Sequence, residues 1–138
     1  MSKNVSELNA LWTDIYYLLR YKHSEKVTHI GVRIMQVIQK EKEVTIKDIA
    51  KEIAVSHNTA SEHIKRLTEK QYLYKTRSSI DERKVIIKLT DIGKDVLHRN
   101  SNLDEAKLKT IFETANDVEK QSIISAFRLL KELAKRCT

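Results

Sequence analysis

Hydrophobic residues recur along most of the chain at spacings of three and four positions, the period of an α-helix with one buried face. We expect a first helix from about Val5 to Tyr21, capped by Ser6, and a second from His29 to Lys40. Residues 108–115 and 118–134 repeat the pattern near the end of the chain. The apolar face of the first helix would consist of Leu8, Leu11, Trp12, Ile15, Leu18 and Leu19, and the inward face of the second of Ile30, Ile34, Val37 and Ile38.

The centre of the chain predicts two short helices in close succession. Thr45 and Ser56 have side chains that commonly cap helix N-termini, and an apolar face follows each of them. Small residues, Ala50 and Ala54, flank the expected turn and would let the two helices pack closely. This arrangement is typical of a helix-turn-helix. Its apolar faces would be Ile46, Ile49, Ala50 and Ile53, then Ala60, Ile64 and Leu67.

Beyond Gln71 the periodicity changes from helical to extended. Tyr72–Tyr74 and Lys84–Leu89 are rich in β-branched and aromatic residues, and we expect two strands joined by a polar hairpin tip at Arg77–Arg83. Thr90 would cap a further helix that ends near Asn100. A single hairpin is too small to be stable alone, so it must pack on the neighbouring helices, as a wing does.

Composition agrees with a mostly helical protein that has one core. The chain has 138 residues, two glycines and no proline, and its formal net charge is +7. An excess of positive charge favours a polyanionic partner, either nucleic acid or an anionic membrane surface, although a basic protein need have neither. Since no apolar run approaches the roughly 20 residues that span a bilayer, we expect no membrane partner.

The sequence also argues against several other classes. A single cysteine, Cys137, cannot form an internal disulfide, which fits a reducing cytoplasm, and the first residues lack the layout of a signal peptide. A glycine-rich phosphate loop, a Cys-x-x-Cys pair and a nucleophile elbow are all absent from the sequence, so we expect no enzyme.

The second helix of the helix-turn-helix has an exposed face suited to reading DNA. Asn58 has the amide that pairs bidentately with adenine, and Thr59 could contact a thymine methyl group. Lys65 and Arg66 would lie near the phosphate backbone. The alternative is an ordinary exposed helix face. The candidate contacts are Ser56, His57, Asn58, Thr59, Ser61, Glu62, Lys65 and Arg66.

The hairpin and the helix-turn-helix together resemble the MarR family of bacterial transcription regulators. The resemblance depends on Asp81-Glu82-Arg83, Val85-Ile86-Ile87 and Leu89-Thr90-Asp91-Ile92-Gly93, in that order. It implies a mostly α-helical fold with a small β-hairpin wing, a winged helix-turn-helix with dimerisation helices at both ends of the chain. We therefore expect a single domain over residues 1–138, with a DNA-binding lobe at 28–100 and dimerisation helices at 5–22 and 103–136.

The same resemblance assigns roles on the wing. Arg83 would enter the minor groove, where narrow grooves concentrate negative potential, and Asp81 would steady its guanidinium group. The alternative is an exposed ion pair without a function. Lys75, Arg77 and Lys84 add positive charge to the same hairpin.

Relatives of this kind act as homodimers on near-palindromic operators, and most of them repress. The resemblance thus implies double-stranded DNA and a second copy of the chain as partners. The expected dimer interface contains Leu8, Leu11, Trp12 and Ile15 near the start of the chain and Phe127, Leu130 and Leu133 near its end.

Three positions depart from the family pattern. Ala54 and Gln71 stand where relatives often have glycine, and each would cost about 1 kcal/mol if its backbone must be left-handed. Glu62 stands where relatives often have a basic residue. Base preference therefore does not transfer from the family.

Effector and metal binding are less well marked. Many relatives bind a small effector, and Tyr16, Tyr17, Tyr21, His23 and His29 could line such a pocket, although packing explains them better. His23, Glu25, His29 and His98 are the candidate metal ligands, but their spacing resembles no closed site, so we expect no metal and no cofactor. The alternatives to a DNA-binding regulator are a winged helix that binds only proteins and a metal-responsive regulator.

Overall fold

The computed structural model describes residues 2–137, which form seven helices and one β-hairpin. This mostly helical architecture confirms the expected fold class. In the described residues, every helix is too short or too polar to cross a membrane. In chain order the elements are α1 (Lys3–Leu19), α2 (His29–Lys40), α3 (Ile46–Glu52), α4 (His57–Glu69), β1 (Leu73–Arg77), β2 (Val85–Leu89), α5 (Asp91–Ser101), α6 (Glu105–Thr114) and α7 (Asp117–Cys137).

The chain forms two compact units. Arg20–Asn102 contains α2 to α5 and the hairpin, and we call it the winged-helix unit. The described residues on either side, 2–19 and 103–137, contain α1, α6 and α7, and we call them the end-helix unit.

The winged-helix unit has a continuous hydrophobic core to which each of its helices and strands contributes. Of the predicted faces of α3 and α4, Ile49, Ala50, Ala60, Ile64 and Leu67 are buried, and Ile46 and Ile53 are half-buried against the core. The largest fully buried side chains in this core are Ile34, Met35, Ile49, Ile64, Leu73, Ile87, Val96 and Leu97.

Helix caps set the starts of the helices in this unit. Thr45 and Asp48 form a capping box, in which the Thr45 hydroxyl accepts from the Asp48 amide (3.1 Å) and the Asp48 carboxylate accepts from the Thr45 amide (3.0 Å). Ser56 caps α4 and Thr90 caps α5, so three of the four caps predicted from the sequence are confirmed. Thr28 caps α2 in the same way.

The hairpin is antiparallel and packs directly on the helices. Its register runs from Leu73 opposite Leu89 to Arg77 opposite Val85. The Ile87 amide donates to the Val44 carbonyl (2.9 Å), so the chain just before α3 runs beside β2. Buried side chains on β2 then join the hairpin to the helical core.

Some predicted details are wrong. The first helix begins at Lys3 and ends at Leu19, so Ser6 lies inside α1 and is not its cap. Ile30 is 38% exposed because it lies in the first turn of α2, at the edge of a buried face centred on other residues. Arg77 belongs to β1 and not to the hairpin tip, because its pairing with Val85 extends the ladder.

In the end-helix unit, the described residues include none that is buried on α1, α6 or α7. Asp104 caps α6, its carboxylate accepting from the Ala106 amide (3.0 Å). Two bonds tie α6 to α1: the Asp104 amide donates to the Leu19 carbonyl (2.7 Å), and Lys107 Nζ donates to the Leu18 carbonyl (3.0 Å). These helices are joined by polar contacts at their ends rather than by a core.

Candidate DNA-binding interface

Helix α4 exposes the face that the sequence predicted for DNA. Its cap, Ser56, accepts from the Thr59 amide (3.1 Å) and donates its hydroxyl proton to Thr59 Oγ1 (2.9 Å). Thr59 and Ser61 are half-buried, so they are less available to a partner than the sequence suggested. The candidate contacts that are exposed are Ser56, His57, Asn58, Glu62, Lys65 and Arg66.

The turn before α4 requires an unusual backbone conformation. Ala54 has φ 57°, in the left-handed region that favours glycine. The Val55 amide donates to the Ala50 carbonyl (3.0 Å) across this turn, which follows the end of α3 at Glu52 and lets α4 begin at His57. A residue with a Cβ there costs about 1 kcal/mol, and this cost was anticipated from the sequence.

A second left-handed residue follows α4. Gln71 has φ 68°. In the described part of the chain, Ala54 and Gln71 are the two non-glycine residues with positive φ. The next amide, that of Tyr72, donates to the Leu67 carbonyl (3.0 Å) and closes the end of the helix. The chain then turns directly into β1, so Gln71 sets the angle between α4 and the wing.

The Leu-Thr-x-x-Gly segment ties the far end of the wing to the end of α4. Thr90 donates its hydroxyl proton to the Gln71 carbonyl (2.6 Å) and its amide proton to the Tyr72 carbonyl (3.0 Å). A Cβ on Gly93 would lie 2.0 Å from that same Tyr72 carbonyl oxygen. The glycine therefore permits a close backbone approach, and the motif holds the end of the wing against the end of α4.

At the tip of the wing, Asp81 and Arg83 form the ion pair that the resemblance implied. The carboxylate accepts from Arg83 Nε (3.1 Å), from Arg83 Nη2 (3.3 Å) and from the Arg83 amide (3.1 Å). These bonds hold the pKa of Asp81 below its ordinary value, the side-chain bond having the largest effect. The Arg83 side chain is nevertheless 91% exposed, so its guanidinium group is oriented and still open to solvent.

A third residue, Glu43, anchors the wing and was missed by sequence reasoning. Its carboxylate accepts from the Ser78 hydroxyl, the Ser79 hydroxyl (3.1 Å) and the Ser79 amide (3.3 Å). Chiefly because of the Ser78 bond, the pKa of Glu43 lies below its ordinary value. Ser78 in turn accepts from the Asp81 amide (3.1 Å). Hydrogen bonds therefore connect Glu43 through Ser78 and Asp81 to Arg83.

The other basic residues predicted for the wing are exposed. Lys75 lies on β1 and Lys84 directly precedes β2, and both add positive charge to the hairpin. Arg77 Nη1 donates to the Glu82 carbonyl (3.4 Å), and the Lys84 amide donates to the Asp81 carbonyl (2.9 Å), which closes the tip. The structure thus gathers all the candidate wing residues on one hairpin.

The predicted dimer residues line one apolar groove in the end-helix unit. The groove lies between α1 and α7 and has a volume of about 500 Å³. Phe127, one of its lining residues, is 46% exposed. All seven predicted interface residues, Leu8, Leu11, Trp12, Ile15, Phe127, Leu130 and Leu133, line the groove.

Three of the four candidate metal ligands, His23, Glu25 and His98, bond to other side chains. His98 lies 2.9 Å from the Tyr21 hydroxyl through Nε2 and 2.7 Å from the Asn102 amide through Nδ1. Glu25 pairs with Arg99 and with His23. Over residues 2–137, groups of three or more histidine, cysteine or carboxylate residues placed to hold a metal ion are absent. The contacts tie the segment before α2 to α5.

Comparison with known proteins places this architecture in a family. The family model described as Transcriptional regulator SarA/Rot matches residues 21–100, more than half of the chain. The chain belongs to the SarA/Rot family. A curated relative, the HTH-type transcriptional regulator SarZ of Staphylococcus epidermidis, is 29% identical over 97 residues. That match covers 67% of this chain and 66% of SarZ, so it spans slightly less than two thirds of the relative's length.

Solved structures share the fold of this SarA/Rot chain. The YusO protein of Bacillus subtilis has a TM-score of 0.65 at 19% identity, covering 98% of this chain and 99% of that one. FabT of Streptococcus pneumoniae, solved in complex with DNA, has a TM-score of 0.60 at 22% identity, covering 98% and 94%. These likenesses confirm the winged helix-turn-helix expected from the MarR resemblance. The family and its relatives are transcriptional regulators and not enzymes.

Proposed function

We propose that this SarA/Rot chain regulates transcription by binding double-stranded DNA sequence-specifically. Each subunit would make two contacts, one through α4 in the major groove and one through Arg83 in the minor groove. The observation that carries the proposal is the Asp81–Arg83 pair, which presents an oriented and exposed guanidinium group at the tip of the wing. An aspartate at a DNA-facing tip would otherwise repel phosphate.

The supporting electrostatics are those of a DNA-binding surface. Lys65 and Arg66 on α4 and Lys75, Arg77 and Lys84 on the wing are exposed cations within the winged-helix unit. Phosphate contacts of this kind fix the position of a protein on the duplex, whereas base-edge contacts specify the sequence. Asn58, exposed in the first turn of α4, is the side chain we assign to base reading.

The proposal includes a homodimer acting as a repressor. The apolar groove between α1 and α7 supports pairing of two chains, since a second copy could cover its exposed side chains. Two DNA half-sites about one helical turn apart, roughly 34 Å, need two linked recognition helices. Occupying a promoter would repress transcription, and a small effector could relieve it. A regulator of this kind works in the cytoplasm.

The test begins with selection of a duplex from a random pool by the unaltered protein. Against that duplex, Arg83→Ala and Asn58→Ala should each weaken binding by about tenfold, and only Asn58→Ala should change the base preference found by a second selection. Lys131→Ala, on α7, is the control and should bind almost as the unaltered chain does. If neither substitution changes DNA affinity, or if binding is independent of salt, the chain is a protein-interaction module instead.

A further inference from the structure

A cavity of about 340 Å³ lies in the winged-helix unit, between the start of α2 and the later half of α4. Of its lining residues, only Arg66 has a role in the function proposed above. Its lining consists of Val27, Thr28, His63, Arg66, Leu67 and Lys70.

The chemistry of the lining is that of an anion site. Arg66 and Lys70 carry positive charge, His63 adds a ring nitrogen, and no carboxylate is among the lining residues. The α2 N-terminus contributes the positive end of its helix dipole at the Thr28 cap, where Thr28 Oγ1 accepts from the Gly31 amide (3.0 Å). An arginine beside a second cation suits phosphate, whose oxygens accept several hydrogen bonds at once.

The cavity lies on the side of α4 that carries Thr59, a predicted base contact that is half-buried. Thr59, His63, Arg66 and Lys70 are separated by four, three and four residues, so they form one stripe along the helix. The first turn of that helix presents the side chains assigned to the major groove. The stripe therefore leads from the base-reading end of α4 to the cavity at its other end.

We propose that this cavity binds a phosphate of the DNA backbone at the edge of the major groove, as a third contact made by each subunit. The inference rests on the proposed function, since it needs α4 to lie on DNA. It assigns His63, Lys70 and Thr28 to the interface, and it gives Arg66 a defined partner. A contact of this kind is independent of sequence and dependent on salt.

Two variants at one position test the cavity without harming the fold. Thr28→Asp and Thr28→Asn both keep a good helix cap, but only the first places a negative charge in the cavity. With the selected duplex, Thr28→Asp should bind about tenfold more weakly than Thr28→Asn. For Thr28→Asp, the dependence of log affinity on log salt should become shallower by about one for each subunit, and the base preference should not change. Thermal unfolding should show both variants folded.

A second pair separates this site from the effect of net charge. Lys70→Gln and Lys40→Gln each remove one positive charge, but Lys40 lies at the opposite end of α2 from Thr28. We expect the DNA affinity to depend less steeply on salt only for Lys70→Gln. Equal slopes for the two variants would overturn the assignment of Lys70.

The outcomes also separate the two sources of phosphate and the two proposals. Inorganic phosphate is titrated in the absence of DNA, with the His63 ring signals observed by NMR. If Thr28→Asp abolishes that binding while both Thr28 variants bind DNA equally, the site takes free phosphate and the backbone contact is overturned. If Thr28→Asp and Thr28→Asn bind DNA equally well and the unaltered chain binds DNA normally, only the phosphate site is rejected. Failure of the unaltered chain to bind any duplex rejects the proposed function itself.

Discussion

The two units of the chain differ in how they bury hydrophobic side chains. In the described residues, every buried hydrophobic side chain belongs to the winged-helix unit. The end-helix unit has long amphipathic helices, yet Leu8, Trp12, Phe127 and Leu130 remain about half exposed. Exposed apolar surface of this extent marks an interaction site in a folded protein. The winged-helix unit therefore has its core within one chain, whereas the apolar faces of the end helices stay open to a second surface.

The largest effect should come from placing a charge in the apolar groove. Phe127→Asp removes an aromatic contact and would bury a charge, which should cost about 4 kcal/mol per subunit in dimer stability. Sedimentation velocity should show a monomer, and amide exchange should accelerate in α1, α6 and α7 while α2 to α5 stay protected. Gln121→Asp, on the opposite face of α7, makes the same charge change and should remain dimeric. If the unaltered protein is a monomer at micromolar concentration and the amides of its end helices are protected from exchange, the end helices are stable without a second surface.

A glycine substitution should damage the winged-helix unit selectively. Gly93→Ala places a Cβ 2.0 Å from the Tyr72 carbonyl oxygen, and because that atom belongs to the backbone the cost should be about 3 kcal/mol. Gly31→Ala is the matched control: its Cβ would meet the Val27 and Thr28 side chains at 2.8 and 3.1 Å. Those side chains can shift and alanine favours a helix, so its effect should stay within about 1 kcal/mol. Urea unfolding measures both, and similar losses would argue against the backbone clash.

Two substitutions should make the winged-helix unit more stable. Ala54→Gly and Gln71→Gly remove the Cβ from left-handed residues, so each should raise the free energy of unfolding by about 1 kcal/mol. The effects should add, because the two turns lie at opposite ends of α4. Lys51→Gly, in the right-handed helix α3, should instead lower the stability by about 1 kcal/mol. Loss of stability in all three variants would show that these turns carry no strain.

The smallest effect concerns the wing. A hydrogen bond from Ser78 lowers the pKa of Glu43 from its ordinary 4.5. A carboxyl whose pKa is lower in the folded chain stabilises the fold above its unfolded pKa, and that stabilisation disappears as pH falls through the folded pKa. The Ser79 amide shift in NMR spectra should therefore be constant near neutral pH and change only below 4.5.

Glu43→Gln provides the comparison for the wing. The variant should lack that acidic transition and should bind DNA roughly threefold more weakly at neutral pH, because an amide is a poorer acceptor than a carboxylate. Glu41→Gln, in the same loop, should keep the transition. An unchanged transition in Glu43→Gln would assign it to another carboxyl group.

Local features of the winged-helix unit could be predicted from the sequence because their causes are local. The caps Thr45, Ser56 and Thr90 each act on an amide three residues away. The Asp81–Arg83 pair spans two residues, and the left-handed positions were anticipated from missing glycines. The bonds from Glu43 to the wing could not be predicted, since 35 residues separate Glu43 from Ser78 and only the fold brings them together.

The errors have a different cause. The first helix begins three residues before its expected cap, because periodicity locates a face better than an end. Ile30 fits the helical spacing but lies at the edge of the buried face, where spacing alone does not determine burial. Whether Thr59 is available to a base could not be judged either, because Ser56 bonds to its side chain in the folded protein.

The exposed apolar groove between α1 and α7 has a consequence for how much protein is needed in a cell. If two chains complete each other's end helices, folding of those helices and assembly are one equilibrium that depends on total concentration. Occupancy of an operator by the pair would then rise more steeply than in proportion to the number of chains, and a modest change in synthesis or degradation would switch a promoter. A heterologous chain with a matching groove could enter the same equilibrium and withdraw subunits from DNA.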